Sequence, residues 1–503
     1  MACLYITRYK NFMYLESIEL NNFRGIRDLS INFGPKVNII VGINGAGKTS
    51  VLDSCSIIFS DFINKTTKSK NELKFKDQDI YNLESSSIIK ATFGGDDILG
   101  FEKNIILHKT RAGIVSLEKD ETIMFRKLSE NIIDGINKNT IQSIPIFAYY
   151  QAHRALLDIP LRIRKTHKFS LLEAYDQSLN GDANFRLFFE WFREQEDLEN
   201  ENLSNIEIEN ELDKAENSLE LLTKVTSLFE QLNNVERIID NNDVNSLKNE
   251  IEYLKNEVGG VRSELEQAQE KLKVAIEDSG EYKKSLNYKK IKFVRDALIR
   301  FIPYVTDFRI KRNPLSMVAK KNGIDINIDQ LSQGEKILIA MIGDIARRLV
   351  IANPTLNNPL EGEGIILIDE IELHLHPKWQ SEIVKNLTNV FPNCQFILTT
   401  HSPQVIREIE KESVSLLSVD EKQNAMIIKP IRTIGLDSSD ILSEVMDVPT
   451  INKEFENKLS ELYKLVDDNK YSEAHSFLNE LQKKYSDVPE LIKARCFIEF
   501  MEE

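Results

Sequence analysis

The chain has 503 residues, 42% of them hydrophobic, enough for the buried cores of two or three folded units. Its 64 basic and 79 acidic residues give a formal charge of −15, which argues against a broadly basic nucleic-acid surface and leaves room only for a local patch. No stretch approaches the ~20 apolar residues of a membrane helix, and the opening residues lack the regions of a secretory signal, so the expected location is cytoplasmic, away from any membrane.

In chain order, Asn22-Phe23-Arg24-Gly25 separates a first strand from Leu29–Phe33, whose alternation reads as a half-buried strand. The apolar run Val37 to Val41 then ends at Gly42-Ile43-Asn44-Gly45-Ala46-Gly47-Lys48-Thr49-Ser50, which fits GxxxxGK[ST]. In such a loop the glycines let backbone amides fold around phosphate oxygens. The lysine reaches the outer phosphates, and the Thr49 hydroxyl is placed to ligate Mg²⁺. Val51, Leu52, Cys55, Ile58 and Phe59 follow at helical spacing, which directs a helix N-terminus at the anion. Ile146–Tyr150 is another apolar strand running into Gln151, His153 and Arg154. Arg154 is read either as a phosphate contact or as a loop stabiliser.

From Val244 to Ala275, apolar residues recur at alternating steps of three and four, and a less regular stripe runs from Ile208 to Ile239. Asp240-Asn241-Asn242-Asp243 reads as the turn between two coiled-coil arms. Arms of about 30 residues at ~1.5 Å each project roughly 45–50 Å. The hairpin either packs on the rest of the chain or serves oligomerisation and docking.

Leu331-Ser332-Gln333-Gly334-Glu335 precedes an apolar helix extending to about Ala352; taken alone, Ser332 is an ordinary N-cap. Gly364–Ile368 is a buried strand ending in Asp369 and Glu370, a Walker B pattern in which Asp369 supplies the anion near Mg²⁺ and Glu370 orients or deprotonates water. His374 and His376 have no third ligand in sequence to make a metal site. A helix carrying Ile383, Leu387 and Phe391 leads to a strand, Gln395 to Thr400, that ends at His401. The tail returns to amphipathic helices through Leu459, Leu462 and Val466, then Tyr471, Ala474, Leu478 and Leu481, then Leu491, Ala494 and Ile498. Cys3, Cys55, Cys394 and Cys496 are scattered without a CxxC pair, so reduced structural thiols are expected.

The GxxxxGKT loop, the LSQGE segment and the Walker B strand, with a coil between them, resemble ABC-type ATPases of the SMC, RecF and OLD-like group. The resemblance implies an α/β head: a P-loop parallel sheet with flanking helices, an N-terminal β-subdomain, an inserted coiled-coil hairpin and a C-terminal helical extension. The implied boundaries are 1–194 for the lobe with Walker A, 195–290 for the insertion, 291–434 for the lobe with signature, Walker B and switch histidine, and 435–503 for the extension. It further implies ATP and Mg²⁺ as cofactors, Ser332 and Gly334 capping the nucleotide of a second head, and His401 sensing the γ-phosphate. Arg24 and Gln151 become candidate nucleotide contacts.

Gly435-Leu436-Asp437-Ser438, Ile441–Met446, Tyr471-Ser472-Glu473-Ala474 and Pro489-Glu490-Leu491 resemble the ATPase subunit of Septu anti-phage systems, including retron-associated ones. That resemblance implies an oligomer working with an HNH-type nuclease subunit, nucleic acid being reached through the complex. The alternative is a RecF- or SMC-like repair ATPase that binds DNA directly. A self-contained OLD-type nuclease fits poorly, because the stretch after His401 shows no clustered acids.

Overall fold

The computed structural model describes residues 13–68, 73–82, 84–95, 103–112, 120–138, 140, 143–152, 170–181, 185–202, 282–420, 424–445, 453–486 and 488–502. Both expected coiled-coil stripes, 208–239 and 244–275, and the pair His153 and Arg154 lie outside the described residues.

Strands β1 (Tyr14–Phe23) and β2 (Ile26–Asn32) form a hairpin, and β3 (Val37–Val41) leads to helix α1 (Lys48–Thr67). Strands β4 (Ser86–Gly94) and β5 (Asn104–Thr110), helix α2 (Ile123–Asn137), strand β6 (Ile146–Tyr150) and helix α3 (Phe185–Asn202) follow. Next come helix α4 (Tyr282–Phe301), strands β7 (Val305–Arg312), β8 (Leu315–Lys321) and β9 (Ile324–Asn327), and helix α5 (Gln333–Ala352). Strand β10 (Gly364–Ile368), helix α6 (Pro377–Val390), strand β11 (Cys394–Thr400), the short α7 (Pro403–Ile406) and strands β12 (Val414–Val419) and β13 (Ala425–Ile428) precede three helices, α8 (Lys453–Asp467), α9 (Tyr471–Tyr485) and α10 (Pro489–Glu502).

The central sheet has the order β13-β12-β3-β11-β10-β6, all parallel except the edge strand β13. Every residue of β6, β10 and β11 is buried, as in a parallel sheet covered on both faces, which is why these strands read as continuous apolar runs. An antiparallel sheet of order β2-β1-β4-β5 is the expected N-terminal β-subdomain. The two sheets are clipped by Gln395, a fully buried residue of β11. Its Oε1 accepts from the Leu15 amide at 2.8 Å, and its Nε2 donates to the carbonyls of Leu15 and Gly34 at 2.9 and 2.7 Å. A third sheet, the meander β7-β8-β9, has no counterpart among the sequence motifs, because charged residues interrupt its apolar positions.

Helix α5 is buried from Gly334 to Ala352 except at Lys336, the pattern of a core helix rather than a surface one. It carries Asp344, Arg347 and Arg348 into that core, each no more than 1% exposed. Asp344 accepts from Arg347 at 2.7 Å, from Arg348 at 2.8 Å and from the Tyr150 hydroxyl at 2.9 Å. Arg348 also donates to the carbonyls of Ala174 and Asp176. Burial acts to raise the Asp344 pKa, but Arg348 and Arg347 overcome it and hold the carboxyl below its ordinary value. Farther on, α8, α9 and α10 bury Leu462, Ala474, Leu478, Leu491 and Ile498 in a core of their own, distinct from that of the preceding residues.

Removing Asp344 would strand two buried guanidinium groups. Asp344→Ala is expected to lower the free energy of unfolding by about 3–5 kcal/mol, and Tyr150→Phe by about 1 kcal/mol, both read from urea titrations. With its folded pKa below the unfolded one, Asp344 stabilises fully above about pH 4 and loses that contribution as the pH falls through the folded value. An Asp344→Ala chain as stable as the parent would mean that the arginines find other partners.

Candidate functional site

The tips of β3, β10 and β11 converge on one crevice, the usual ligand position in a parallel sheet. Beyond β3 the loop tightens at Gly42, where a Cβ would lie 2.3 Å from the Leu417 carbonyl oxygen, and turns through Gly45 and Gly47 at φ of 84° and 102°. Those conformations favour glycine. Lys48, buried at the start of α1, folds back so that Nζ donates to the carbonyls of Gly42 and Ile43 at 2.9 and 3.1 Å. Burial lowers its pKa against the opposing pull of Asp369, Glu370 and Glu372. Ile43, Asn44 and Gly45 are exposed on the outer lip of the loop, whereas Ala46 is buried.

Thr49 and Asp369, 320 residues apart, meet here: the threonine hydroxyl donates to Asp369 Oδ2 at 2.9 Å. Asp369 is fixed from both neighbouring strands, since its amide donates to the Tyr150 carbonyl and its Oδ1 accepts from the Thr399 hydroxyl. A hydroxyl and a carboxylate brought together are hard oxygen donors of the kind Mg²⁺ takes, and they fit that ion. Glu370 turns through φ 47°, strained for a non-glycine residue. Its amide donates to Thr399 Oγ1 at 2.8 Å. His401 stands half-buried at the end of β11. Burial lowers its pKa and Lys48 lowers it further, against Glu372, Glu370 and Asp369, so the imidazole is neutral at pH 7.

Gln151 follows β6 and donates its amide to the Gly181 carbonyl at 2.7 Å, one residue beyond the point where Tyr150 meets Asp369. Arg24 lies farther out on the β1–β2 turn and pairs with Asp53 of α1 and with Asp79, the latter at 2.9 Å. Asp53 also accepts from the Tyr149 hydroxyl at 2.7 Å.

Ser332 is exposed and caps α5: its Oγ accepts from the Glu335 amide at 3.4 Å, and its amide and hydroxyl donate to Glu335 Oε2 at 2.9 and 2.7 Å. The ordinary N-cap reading therefore holds for Ser332. Gly334 packs so tightly that a Cβ there would lie 2.4 Å from the His374 carbonyl oxygen. His376 caps α6, its Nδ1 accepting from the Lys378 amide at 3.3 Å. Among the described residues no group of three His, Cys, Asp or Glu side chains could hold a metal ion.

Sequence reasoning passed over Asp53, Glu372 and Thr399, although the signal for two of them was present. Two adjacent threonines precede His401, and an acid stands two residues beyond Glu370.

A family model described as an AAA ATPase domain matches residues 13–406. The retron Ec83 probable ATPase of Escherichia coli is 33% identical over 468 residues, covering 90% of this chain and 80% of its own length. The retron Vc95 probable ATPase of Vibrio cholerae serotype O1 biovar El Tor is 31% identical over 462 residues, covering 88% and 80%. The Septu protein PtuA of Bacillus thuringiensis is 22% identical over 419 residues, covering 82% and 78%. On the length of the domain match and the identity to the two retron proteins, the chain belongs to the AAA ATPase domain family, in the group of the retron ATPases.

Proposed function

We propose that the chain binds and hydrolyses ATP with Mg²⁺ between two heads of a dimer, and that this cycle governs an HNH-type nuclease subunit in an anti-phage defence complex. The observation that carries the ATPase reading is the convergence of Lys48, Thr49 and Asp369 at the strand tips, with Glu370 on the adjoining turn. Lys48 and the loop amides of Asn44 to Ser50 hold the phosphates. Thr49 and Asp369 hold Mg²⁺, which when bound supplies positive charge against the phosphate oxygens. Glu370 orients and deprotonates the attacking water, and neutral His401 hydrogen-bonds the γ-phosphate without adding a second cation beside Lys48. Gln151 borders the crevice, and Arg24 reaches the nucleotide by exchanging one of its two carboxylate partners.

The exposed Ser332 at the start of α5, with Gly334 beside it, supports capping of a nucleotide held by a second copy, because a helix N-terminus favours an anion. The defence role and the nuclease partner rest on the likeness to the retron and Septu proteins.

Lys48→Ala is expected to weaken ATP binding by about 10- to 100-fold, the loss of a charged hydrogen-bond donor. Glu370→Gln should keep affinity and slow hydrolysis by about a hundredfold or more. Equal loss of affinity in both variants, measured by nucleotide titration, would remove Glu370 from the chemistry.

Ser332→Arg should leave ATP binding intact and reduce turnover. A mixed dimer of Ser332→Arg and Lys48→Ala chains keeps one undamaged composite site and should outpace either variant homodimer. Purified mixed dimers no faster than the homodimers would contradict catalysis across two heads.

The chain on its own should cut neither plasmid, linear DNA nor RNA in Mg²⁺ or Mn²⁺. Deleting residues 452–503, whose helices bury their own core, should release the nuclease partner while ATP binding persists. Cutting by the pure chain that a mutation in it abolishes would replace the partner reading.

A further inference from the structure

Glu372 stands two residues beyond Glu370, and both of its carboxylate oxygens accept bonds from the end of β11 and the residue after it. Oε2 accepts from the Thr400 hydroxyl at 2.7 Å, and Oε1 accepts from the His401 amide at 2.6 Å. A second tie runs parallel to it. Gln380 on α6 accepts from the Ser402 hydroxyl at 2.7 Å through Oε1, and its Nε2 donates to the Leu375 carbonyl at 2.8 Å. The Ser402 amide closes the turn by donating to Thr400 Oγ1 at 3.0 Å, and the Ile371 amide donates to the Thr399 carbonyl at 3.1 Å.

These bonds join two loops that have no sequence proximity. Hydrogen bonds to an ionised carboxylate are about twice as strong as neutral ones, and here they grip the backbone of His401 itself. The far end of the Ile371–His376 loop meets the start of α5, where the His374 carbonyl oxygen lies 2.4 Å from the place a Gly334 Cβ would occupy and Leu375 lies 3.6 Å from it. The loop thus packs directly on the Gly334 backbone with no room for a side chain between them, and a shift of the loop displaces the helix start, because packed interiors do not deform continuously.

We propose that Glu372 is a positioning residue that locks the Thr400–Ser402 segment to the Ile371–His376 loop and thereby carries the state of the nucleotide from His401 to the signature end of α5 in the same chain. The proposal rests on the ATPase reading above. Glu372 acts through His401 and the loop, toward which both of its oxygens are turned. An amide can replace it: in Glu372→Gln, Oε1 can still accept from the His401 amide while Nε2 donates to the Thr400 hydroxyl.

The test uses the full-length chain with ATP and Mg²⁺, read by steady-state hydrolysis and by hydrogen exchange. Glu372→Ala is expected to lower kcat by about a hundredfold with KM for ATP within about threefold, the pattern of lost alignment rather than lost binding. Glu372→Gln should recover at least about tenfold of that loss. In the parent chain ATP should protect residues 42–52 and 331–340 from exchange; in Glu372→Ala it should protect only 42–52. If the alanine chain does not fold, Gln380→Ala, which cuts the second tie, should show the same split in weaker form.

Wild-type kcat or retained protection of 331–340 in the folded alanine variant would overturn the proposal, as would a glutamine variant as slow as alanine. A parent chain in which ATP protects 42–52 but never 331–340 would also overturn it while sparing the nucleotide site. A parent chain that shows neither protection nor turnover would defeat the ATPase reading first, before any variant is made.

Discussion

Strand β11 lies between the strand that delivers the phosphate loop and the strand that delivers the carboxylates, and its Thr399 hydroxyl spans the gap. That hydroxyl donates to Asp369 and accepts from the amide of Glu370, so a single side chain sets both acids while Thr49 reaches Asp369 from the other side. The crevice depends on this register. A slip of one residue in β11 would turn Thr399 to the opposite face, and Asp369 would lose its bond to that strand. The parallel ladders hold the register, and Gln395 at the other end of β11 pins it against the N-terminal sheet.

The same economy appears in helix α5. Its N-terminus leaves Ser332 and Gln333 at the surface, while from Gly334 onward one turn after another sinks into the core and reaches a buried cluster of one acid and two arginines. That cluster reaches β6 through the Tyr150 hydroxyl, and Tyr150 in turn accepts the Asp369 amide through its carbonyl. Buried charges are a costly way to hold a helix when apolar packing would serve. What the cluster adds is direction, because each bond is satisfied in only one placement of α5 against the sheet.

Much of this was legible because the key elements are continuous in sequence. The GxxxxGKT loop, the strand ending in Asp369 and Glu370, and the helix after Ser332 each carry their signal within a dozen residues, and each forms the expected element. What could not be read was pairing over long separations. Nothing local in Asp344 announces Tyr150, and nothing in Arg24 announces Asp53 and Asp79, for an exposed arginine and a paired one look alike in sequence. The meander β7-β8-β9 escaped for a related reason: Arg309, Lys311 and Lys320 lie on its exposed face and break any apolar run. Glu372 was hidden by its neighbours, since two better-known acids precede it and the histidines around it drew attention to metal binding.

The three final helices close on a layer of side chains that shares no residue with the core before it. The packing of the two layers is therefore separate. A substitution that reshapes the tail, including exposed residues such as Ile492 and Phe500, alters no side chain packed around the phosphate loop. A change that loosens the packing of the tail therefore leaves the layer of side chains beneath the phosphate loop intact.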